Sequence, residues 1–298
     1  MKTTMEYNRA FQDLIRCEAK QNTFSTLEEG KDASHYNFPR GFAGDYQEAI
    51  AKENVFRRYG TVFTHTKEGV IQTVASTADA KLTGEGMAYP EDSDSFQTLN
   101  FNAYKIATLS KLSHSFIKDM NFDLNHYLKT DFARRFGRCE EDLFINGTGV
   151  DEPSGILNSA ELGKKSDTSN IQFEDVVDLF FSVKPEYRQN AVWLMSDKTI
   201  LQIRKFKDMS GRYLLEEDSK TLLGKEVVIS NNMPDIKPGA LPVIFGDLSY
   251  FWILERTPLS VKVLTERYAL QGQVGFAAHE RLDGVLIRSE AVKTLEAS

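Results

Sequence analysis

Residues 121–145 read NFDLNHYLKTDFARRFGRCEEDLFI and carry the strongest helical pattern in the chain. Apolar side chains recur there every three or four residues, which is the spacing of one helix face. They are Leu124, Leu128, Phe132, Phe136, Cys139 and Leu143. Asn121 or Asp123 can cap the start, and Gly147 and Gly149 end the pattern. At 1.5 Å per residue, this helix is predicted to form a rod of roughly 35 Å.

The preceding residues, 66–113, have the alternation of a long hairpin. One arm is predicted at 70–76 and the other at 96–112. Within the second arm the alternation of apolar and polar residues changes phase, which predicts a bulge or strong twist within one strand. Between the arms, residues 79–95 hold two glycines, Pro90 and five acidic residues. A connection of this length is uncommon inside a compact domain. The hairpin is therefore predicted to project.

The N-terminal part is predicted to hold two helices and an arm. Residues 1–20 form an amphipathic pattern with four apolar residues on one face, namely Tyr7, Phe11, Leu14 and Ile15. Residues 21–45 show no period and predict a tethered arm. A second helix is predicted at about 46–58.

Helical and extended patterns alternate after residue 150. Helices are predicted at 173–183 and 196–206, and short buried strands at 191–195, 226–230 and 241–246. Further strands are predicted at 259–264, 275–279 and 284–288, with Asp283-Gly284 as a hairpin turn. This mixture indicates an α+β fold.

Composition limits the class of protein. A chain of 298 residues buries a large core without disulfide bonds, so the distant Cys17 and Cys139 are predicted to be reduced thiols. The net charge of −7 disfavours tight nonspecific DNA binding. The sequence has no apolar run of about 18 residues, and residues 1–20 lack the apolar region of a signal peptide. A cytosol-like compartment is expected.

Catalytic and cofactor motifs are missing from the sequence. The Gly-Lys pairs do not fit a phosphate-binding loop, and no metalloprotease or serine-hydrolase motif occurs. The histidines are scattered singly, so neither a metal nor a cofactor is expected. The pairs Glu140-Glu141 and Glu216-Glu217 are predicted to lie on solvated faces. Arg134, Arg135 and Arg138 alternate with Asp131, Glu140 and Glu141, which favours salt-bridged faces or subunit contacts; a DNA-facing role is the alternative.

Three segments carry a resemblance in their order and spacing. They are residues 143–157, LFINGTGVDEPSGIL; residues 191–234, which contain AVWLMSDKT, KDMSGRYLL and LLGKEVVISNNMP; and residues 243–295, which contain VIFGDLSYFWILERTPLSVKV and QVGFAAHERLDGVLIRSEAVKTL. Together they resemble the Hong Kong 97-type phage capsid protein family over roughly residues 40–298.

The resemblance implies a Hong Kong 97-type capsid fold of the α+β class with four parts. These are an N-terminal arm at 1–45, an extended hairpin called the E-loop at 66–106, a P-domain at 46–65, 107–146 and 256–276 with its spine helix at about 121–145, and an A-domain with a mixed sheet at 147–255 and 277–298.

The function implied by the resemblance is structural, not enzymatic. Such a subunit self-assembles into hexamers and pentamers of an icosahedral shell that encloses double-stranded DNA without sequence-specific binding. It is made in the bacterial host cytoplasm and resides in the virion capsid, without contact to a membrane. Possible partners are a scaffold, a maturation protease, a portal and decoration proteins. The residues expected to take part in assembly are Met87, Tyr89, Pro90, Glu91, Arg134, Arg135, Arg138, Glu266, Arg267, Glu280 and Arg281.

The sequence departs from the family's type member at its covalent cross-link. That member joins its subunits by a lysine–asparagine isopeptide bond, but residues 86–89 contain no lysine and residues 268–270 no asparagine. Glu280 matches a family Glu-Arg pair and has nothing to activate. No covalent cross-linking is expected, and Lys81 is the only backup candidate.

Two other classes remain open from the sequence. An encapsulin, a bacterial nanocompartment shell of the same fold, would enclose a cargo enzyme, with Tyr7, Phe11 and Leu14 lining the cargo groove. A soluble α+β enzyme is disfavoured because no convergent set of polar residues is evident.

Overall fold

The computed structural model describes residues 36–37, 40–64, 69–76, 82, 95–118, 123–167, 171–207, 213 and 220–298. The predicted helix at 1–20 and most of the predicted arm lie outside the described residues, as do Met87, Tyr89, Pro90, Glu91 and Lys81. The described part mixes helices with sheets, which confirms the α+β prediction. None of its helices is long and apolar enough to cross a membrane.

The helices are α1 (Arg40–Glu53), α2 (Val55–Tyr59), α3 (His114–Ile117), α4 (Leu124–Asn146), α5 (Ile156–Ser159), α6 (Phe173–Ser182), α7 (Pro185–Arg188) and α8 (Asp197–Arg204). The rod predicted from the sequence is α4, whose 23 residues span about 35 Å. Its start is capped by Asp123, whose Oδ1 accepts a hydrogen bond from the His126 backbone N–H at 3.0 Å. This cap satisfies a backbone donor that the helix itself leaves unpaired.

The strands are β1 (Tyr36–Asn37), β2 (Thr61–Thr64), β3 (Gly69–Ser76), β4 (Ser95–Phe101), β5 (Tyr104–Ser113), β6 (Glu161–Lys165), β7 (Val192–Met195), β8 (Thr221–Leu222), β9 (Lys225–Ile229), β10 (Val243–Gly246), β11 (Phe251–Leu264), β12 (Gln273–Leu286) and β13 (Val292–Glu296). A five-stranded sheet has the order β1-β11-β12-β5, and β2 also pairs with β11. A six-stranded mixed sheet has the order β6-β13-β10-β7-β9-β8, while β3 and β4 form a two-stranded ribbon.

Helix α4 contributes to two hydrophobic cores. Its N-terminal part packs with α1 against the five-stranded sheet, where Phe136 and Phe276 are buried. Its last turns enter a second core around the six-stranded sheet, which includes Phe144 and Trp193. A side chain could not replace Gly137 without movement, because its Cβ would lie 2.9 Å from the Cβ of Glu53 in α1.

The predicted face of α4 is correct in its first half and wrong in its second. Leu124, Leu128, Phe132 and Phe136 are buried, whereas Cys139 is exposed and Leu143 only half-buried. Glu140 and Glu141 are buried instead, so their assignment to a solvated face was wrong. The buried side of α4 differs between its two halves because the helix passes from one hydrophobic core to the other.

The predicted helix at 46–58 is two helices, and it begins earlier, inside the predicted arm. The break falls at Asn54, whose Oδ1 accepts a hydrogen bond from the Phe56 backbone N–H at 2.8 Å. An asparagine that caps the following helix in this way cannot also continue the preceding one.

The predicted strand at 96–112 is two strands in different sheets. β4 pairs with β3 in the ribbon, whereas β5 pairs with β12 in the five-stranded sheet. The change of phase therefore marks the passage between sheets and not a bulge. The Asn102 backbone N–H at this junction donates to Asp283 Oδ2 at 2.8 Å.

The predicted hairpin turn at Asp283-Gly284 is absent, because both residues lie within the continuous strand β12, opposite Leu254 and Ile253 of β11. Glycine is needed here for space and not for a turn. Ring atoms of Phe144 lie 2.6 Å from the position that a Cβ of Gly284 would occupy.

Candidate functional site: a buried carboxylate cluster and an unpaired ribbon

A charged cluster lies buried where α1, α2, α4 and the five-stranded sheet meet. The side chains of Arg57, Glu140, Glu255 and Glu280 are its charged members, and all four are buried. They come from α2, α4, β11 and β12, which are distant in sequence. The cluster therefore joins these elements through charge as well as through apolar packing.

Arg57 bridges two of the carboxylates. Its Nε and Nη2 donate to the two oxygens of Glu140 at 2.7 and 2.5 Å, which is a bidentate pair. Its Nη1 donates to Glu255 Oε1 at 2.5 Å and to Gln47 Oε1 at 3.1 Å. Asn54 Nδ2 adds a further donor to Glu140 at 2.8 Å. Buried charge-assisted bonds of this kind are strong but depend on every partner, because a charge left alone in the interior is very unfavourable.

Glu280 is the third carboxyl group of the cluster. Burial raises its pKa well above the ordinary glutamate value, and the nearby Glu140 carboxylate raises the pKa further. One arginine cannot compensate three carboxylates, and this arrangement favours the protonated form of Glu280 beside Glu140. Its Oε1 has no hydrogen-bond partner within the described part of the chain.

The neighbouring Glu141 ties α4 to the six-stranded half of the molecule. Its Oε1 accepts from Ser230 Oγ and its Oε2 from the Val55 backbone N–H at 3.2 Å. Burial raises the pKa of Glu141, while these two hydrogen bonds lower it. Burial likewise raises the pKa of Asp283 at the base of the ribbon.

The predicted arginines of α4 lie on its exposed face. Arg135 Nε pairs with Asp131 at 3.0 Å, as predicted. Glu140 and Glu141, by contrast, point inward and pair with Arg57 and Ser230, so their predicted pairing with the helix arginines is wrong. Arg138 lines an open cleft of about 870 Å³ between α2, α4 and β9.

The structure separates the remaining predicted residues. Glu280 is buried, whereas its neighbour Arg281 is exposed on the opposite face of β12. Glu266 and Arg267 are exposed in the hairpin loop between β11 and β12, and the Arg267 guanidinium lies 5.8 Å from the centre of the Tyr268 ring.

The ribbon of β3 and β4 pairs with no other strand of the described residues. Val70 is 57% exposed, and Gln72, Thr98 and Asn100 are also exposed. Among the ribbon side chains whose burial is described, Phe101, at the base of the ribbon, is the one that is buried. An isolated two-stranded ribbon is marginally stable in water and presents open edges.

Sequence reasoning missed Arg57 and Glu255 entirely. The pair Glu140-Glu141 offered one signal of the buried cluster, because both residues lie next to the apolar stripe near the C-terminal end of α4. Burial of that face could not be inferred without knowing that α2 packs against it. Among the described residues, no group of acidic, histidine or cysteine side chains is arranged to hold a metal ion.

The comparisons with known proteins agree on one family. The family model described as the phage capsid family matches residues 35–297. The capsid of a native GTA particle is 25% identical over 91% of this chain and 95% of that chain, with a TM-score of 0.71. The capsid of an empty GTA particle is 25% identical over 94% and 98%, with a TM-score of 0.73. No curated protein matches the sequence.

More distant solved structures share the fold alone. A structure from Gordonia phage Cozz is 12% identical over 94% of this chain and 90% of that chain, with a TM-score of 0.60. These findings do not favour the encapsulin alternative. Because the family match spans nearly all of the described residues, the chain belongs to the phage capsid family and is a structural protein of the viral capsid.

Proposed function

We propose that this chain self-assembles into hexamers and pentamers of an icosahedral head that encloses double-stranded DNA. The observation that carries the proposal is the unpaired ribbon of β3 and β4. Its exposed flanks, including Val70, lack a partner among the described residues. A ribbon that cannot bury its faces within its own subunit gains packing and covered edges when it lies on a neighbour.

The geometry of such contacts supports closed rings. A ribbon of one copy that packs on a different surface of the next makes a heterologous contact, and repeated heterologous contacts close into rings. Many contacts of ordinary strength then act together, so that the shell persists. Two similar capsid structures were computed with C5 symmetry, which is also the symmetry of a ring of five subunits.

A scaffold, a maturation protease, a portal and decoration proteins would act with the shell, which would be made in the bacterial host cytoplasm. DNA would be enclosed without sequence-specific binding, consistent with the net charge of −7. Subunits would be held without covalent cross-links.

The test is expression of the full chain followed by gradient sedimentation and negative-stain electron microscopy. The wild-type chain is expected to form closed shells. Val70→Arg is expected to abolish them, because a charge on the ribbon flank cannot be buried against a neighbour. Val150→Arg is the matched control at an exposed valine outside the ribbon. A wild-type chain that remains a monomer at high concentration would contradict the proposal.

A further inference from the structure

Basic residues that are far apart in the sequence meet at one cleft on the helical side of the molecule. The open cleft of about 870 Å³ beside Arg138 is also lined by Arg204 of α8. Lys52 of α1, Arg58 of α2 and Lys220, which directly precedes β8, complete its set of cations. All five residues are exposed. We call the site formed by these five cations the basic cleft.

Acidic groups compensate the basic cleft only in part. Three carboxyl groups also line the cleft, and they belong to Glu53, Glu141 and Glu226. Arg58 pairs with Glu226 at 3.5 Å, and the two side chains are 60% and 48% exposed. Such an exposed pair contributes little stability, so another anion can replace the carboxylate. Within the described ranges, Lys52, Arg138 and Lys220 form no ion pair. The cleft therefore keeps an excess of positive charge in a chain of net charge −7.

The walls of the basic cleft strengthen its positive potential. Strand β9 contributes the apolar side chains of Val227, Val228 and Ile229 to the lining. A cleft with walls of low dielectric constant focuses the field of the charges around it. Arg134, which is also exposed, lies one turn before Arg138 on the same side of α4. The positive surface therefore continues from the cleft along the helix.

The chemistry of the basic cleft fits a chain of phosphate groups. Three of its five cations are arginines, whose planar guanidinium groups bind phosphate oxygens in a bidentate manner. The cations come from α1, α2, α4, α8 and the residue before β8, and they surround an open cleft. A single small anion would need donors that converge on one point. The backbone of double-stranded DNA instead offers closely spaced charges that several separate cations can neutralise.

We infer that the basic cleft binds the phosphate backbone of the double-stranded DNA that the shell encloses, without reading its sequence. The inference rests on the proposed function and adds the site of contact. Each contact is weak because exposed charges are screened by salt. Enclosed DNA nevertheless meets many copies of the cleft at once, which makes the combined binding effective. The exposed side of α4 then faces the inside of the shell.

The first test measures how the full chain, kept unassembled by low protein concentration, binds a short fluorescently labelled DNA duplex. Fluorescence anisotropy is recorded over a range of salt concentrations. For the wild type, the logarithm of the binding constant should fall linearly with the logarithm of the salt concentration. Arg138→Gln/Lys220→Gln removes two phosphate contacts and should make this slope shallower by about 2, because each contact contributes about 0.9. A duplex of unrelated sequence should give the same slopes.

The matched control is Lys262→Gln/Arg281→Gln, which makes the same change of charge at exposed residues on the face of the five-stranded sheet that points away from α4. This variant should keep the wild-type slope. If both double variants change the slope equally, or if neither does, the inference is wrong. It is also wrong if labelled poly-glutamate binds the wild type more tightly than the duplex does and loses this binding in Arg138→Gln/Lys220→Gln, because the cleft then takes an acidic peptide.

The second test uses assembled shells. Cys139 follows Arg138 on α4 and is exposed, so in a Cys17→Ser chain it reports on this side of the subunit. A maleimide attached to a polymer too large to enter the shell should label Cys139 only after the shells are dissociated, and labelling of intact shells would overturn the inference. Arg138→Gln/Lys220→Gln should form shells at the wild-type yield; loss of its shells with an unchanged slope would make the cleft a subunit contact instead. A wild-type chain that forms no shells would refute the proposed function, while the duplex measurement would still decide the role of the cleft.

Discussion

Replacing Glu280 by glutamine tests whether the buried cluster holds a proton. The folded-state pKa of Glu280 is raised well above 4.5, by burial first and by Glu140 second. The folded state therefore keeps this proton at pH values where the unfolded chain has lost it. Glutamine has a similar shape, remains neutral and can still donate to Glu140. Glu280→Gln should thus remove the proton linkage and keep most of the packing.

The sign and size of the expected change in stability follow from the linkage between proton binding and folding. Below pH 4.5 both states of the wild type are protonated at Glu280, so its contribution to stability is fully present. As the pH rises towards the raised folded-state pKa, the unfolded state gains, and the wild type loses about 1.4 kcal/mol of stability per pH unit. The variant does not share this loss. The free-energy difference between variant and wild type should therefore grow in favour of the variant by up to that amount per unit.

The assay is urea unfolding of the full chain, kept unassembled by low protein concentration, at pH values from 5 to 8. Other buried carboxyl groups with raised pKa, including Glu141 and Asp283, affect both proteins equally and cancel in the difference. Glu266→Gln, at an exposed carboxyl group of the neighbouring loop, should show no pH-dependent difference. If Glu280→Gln and the wild type have parallel stability curves, or if the variant loses stability relative to the wild type as pH rises, Glu280 is ionised and the reasoning is wrong.

Four further predictions concern the same core and the assembled shell. Arg57→Met should destabilise the chain by about 3–5 kcal/mol in urea unfolding, because it leaves buried carboxylates unpaired, and Arg57→Lys should recover only part of this loss. Phe144→Ala should lower stability by about 3–5 kcal/mol in the same assay, because it leaves a cavity beside Phe251. Gly284→Ala should cost about 1–3 kcal/mol through contact with the Phe144 ring, and less in a Phe144→Leu background; additive effects would contradict this contact. Purified shells boiled in detergent should run as one band near 33.8 kDa on a denaturing gel, and a ladder of larger bands would show a cross-link, with Lys81 as its first candidate donor.

Local patterns predicted the strong elements well. Helix α4 follows its apolar spacing and its Asp123 cap, and α6, α8, β7 and β10 fall close to their predicted positions. The wrong predictions share one cause, which is that tertiary contacts overrode a local sequence signal. Asp283-Gly284 is a turn signal by composition, yet both residues pair with β11, and the Phe144 ring occupies the space that a Cβ of Gly284 would need.

The buried cluster could not have been predicted in the same way. Glutamates on a helix are ordinarily solvated, and the place of Glu140 beside the apolar stripe of α4 does not show which element packs against it. Its burial depends on Arg57, which lies 83 positions earlier in the chain. A pairing across that separation is decided by how α2 packs against α4.

The amino-acid sequence by itself determined the α+β class, the rod, the paired strands of the ribbon and the family resemblance, because these depend on periodicity and on motifs that are local in the chain. The tertiary structure alone decided which carboxyl groups are buried and where the chain passes from the ribbon into the five-stranded sheet. Those properties arise from contacts between residues far apart in sequence, and solvent exposure and charge environment exist only once such contacts have formed.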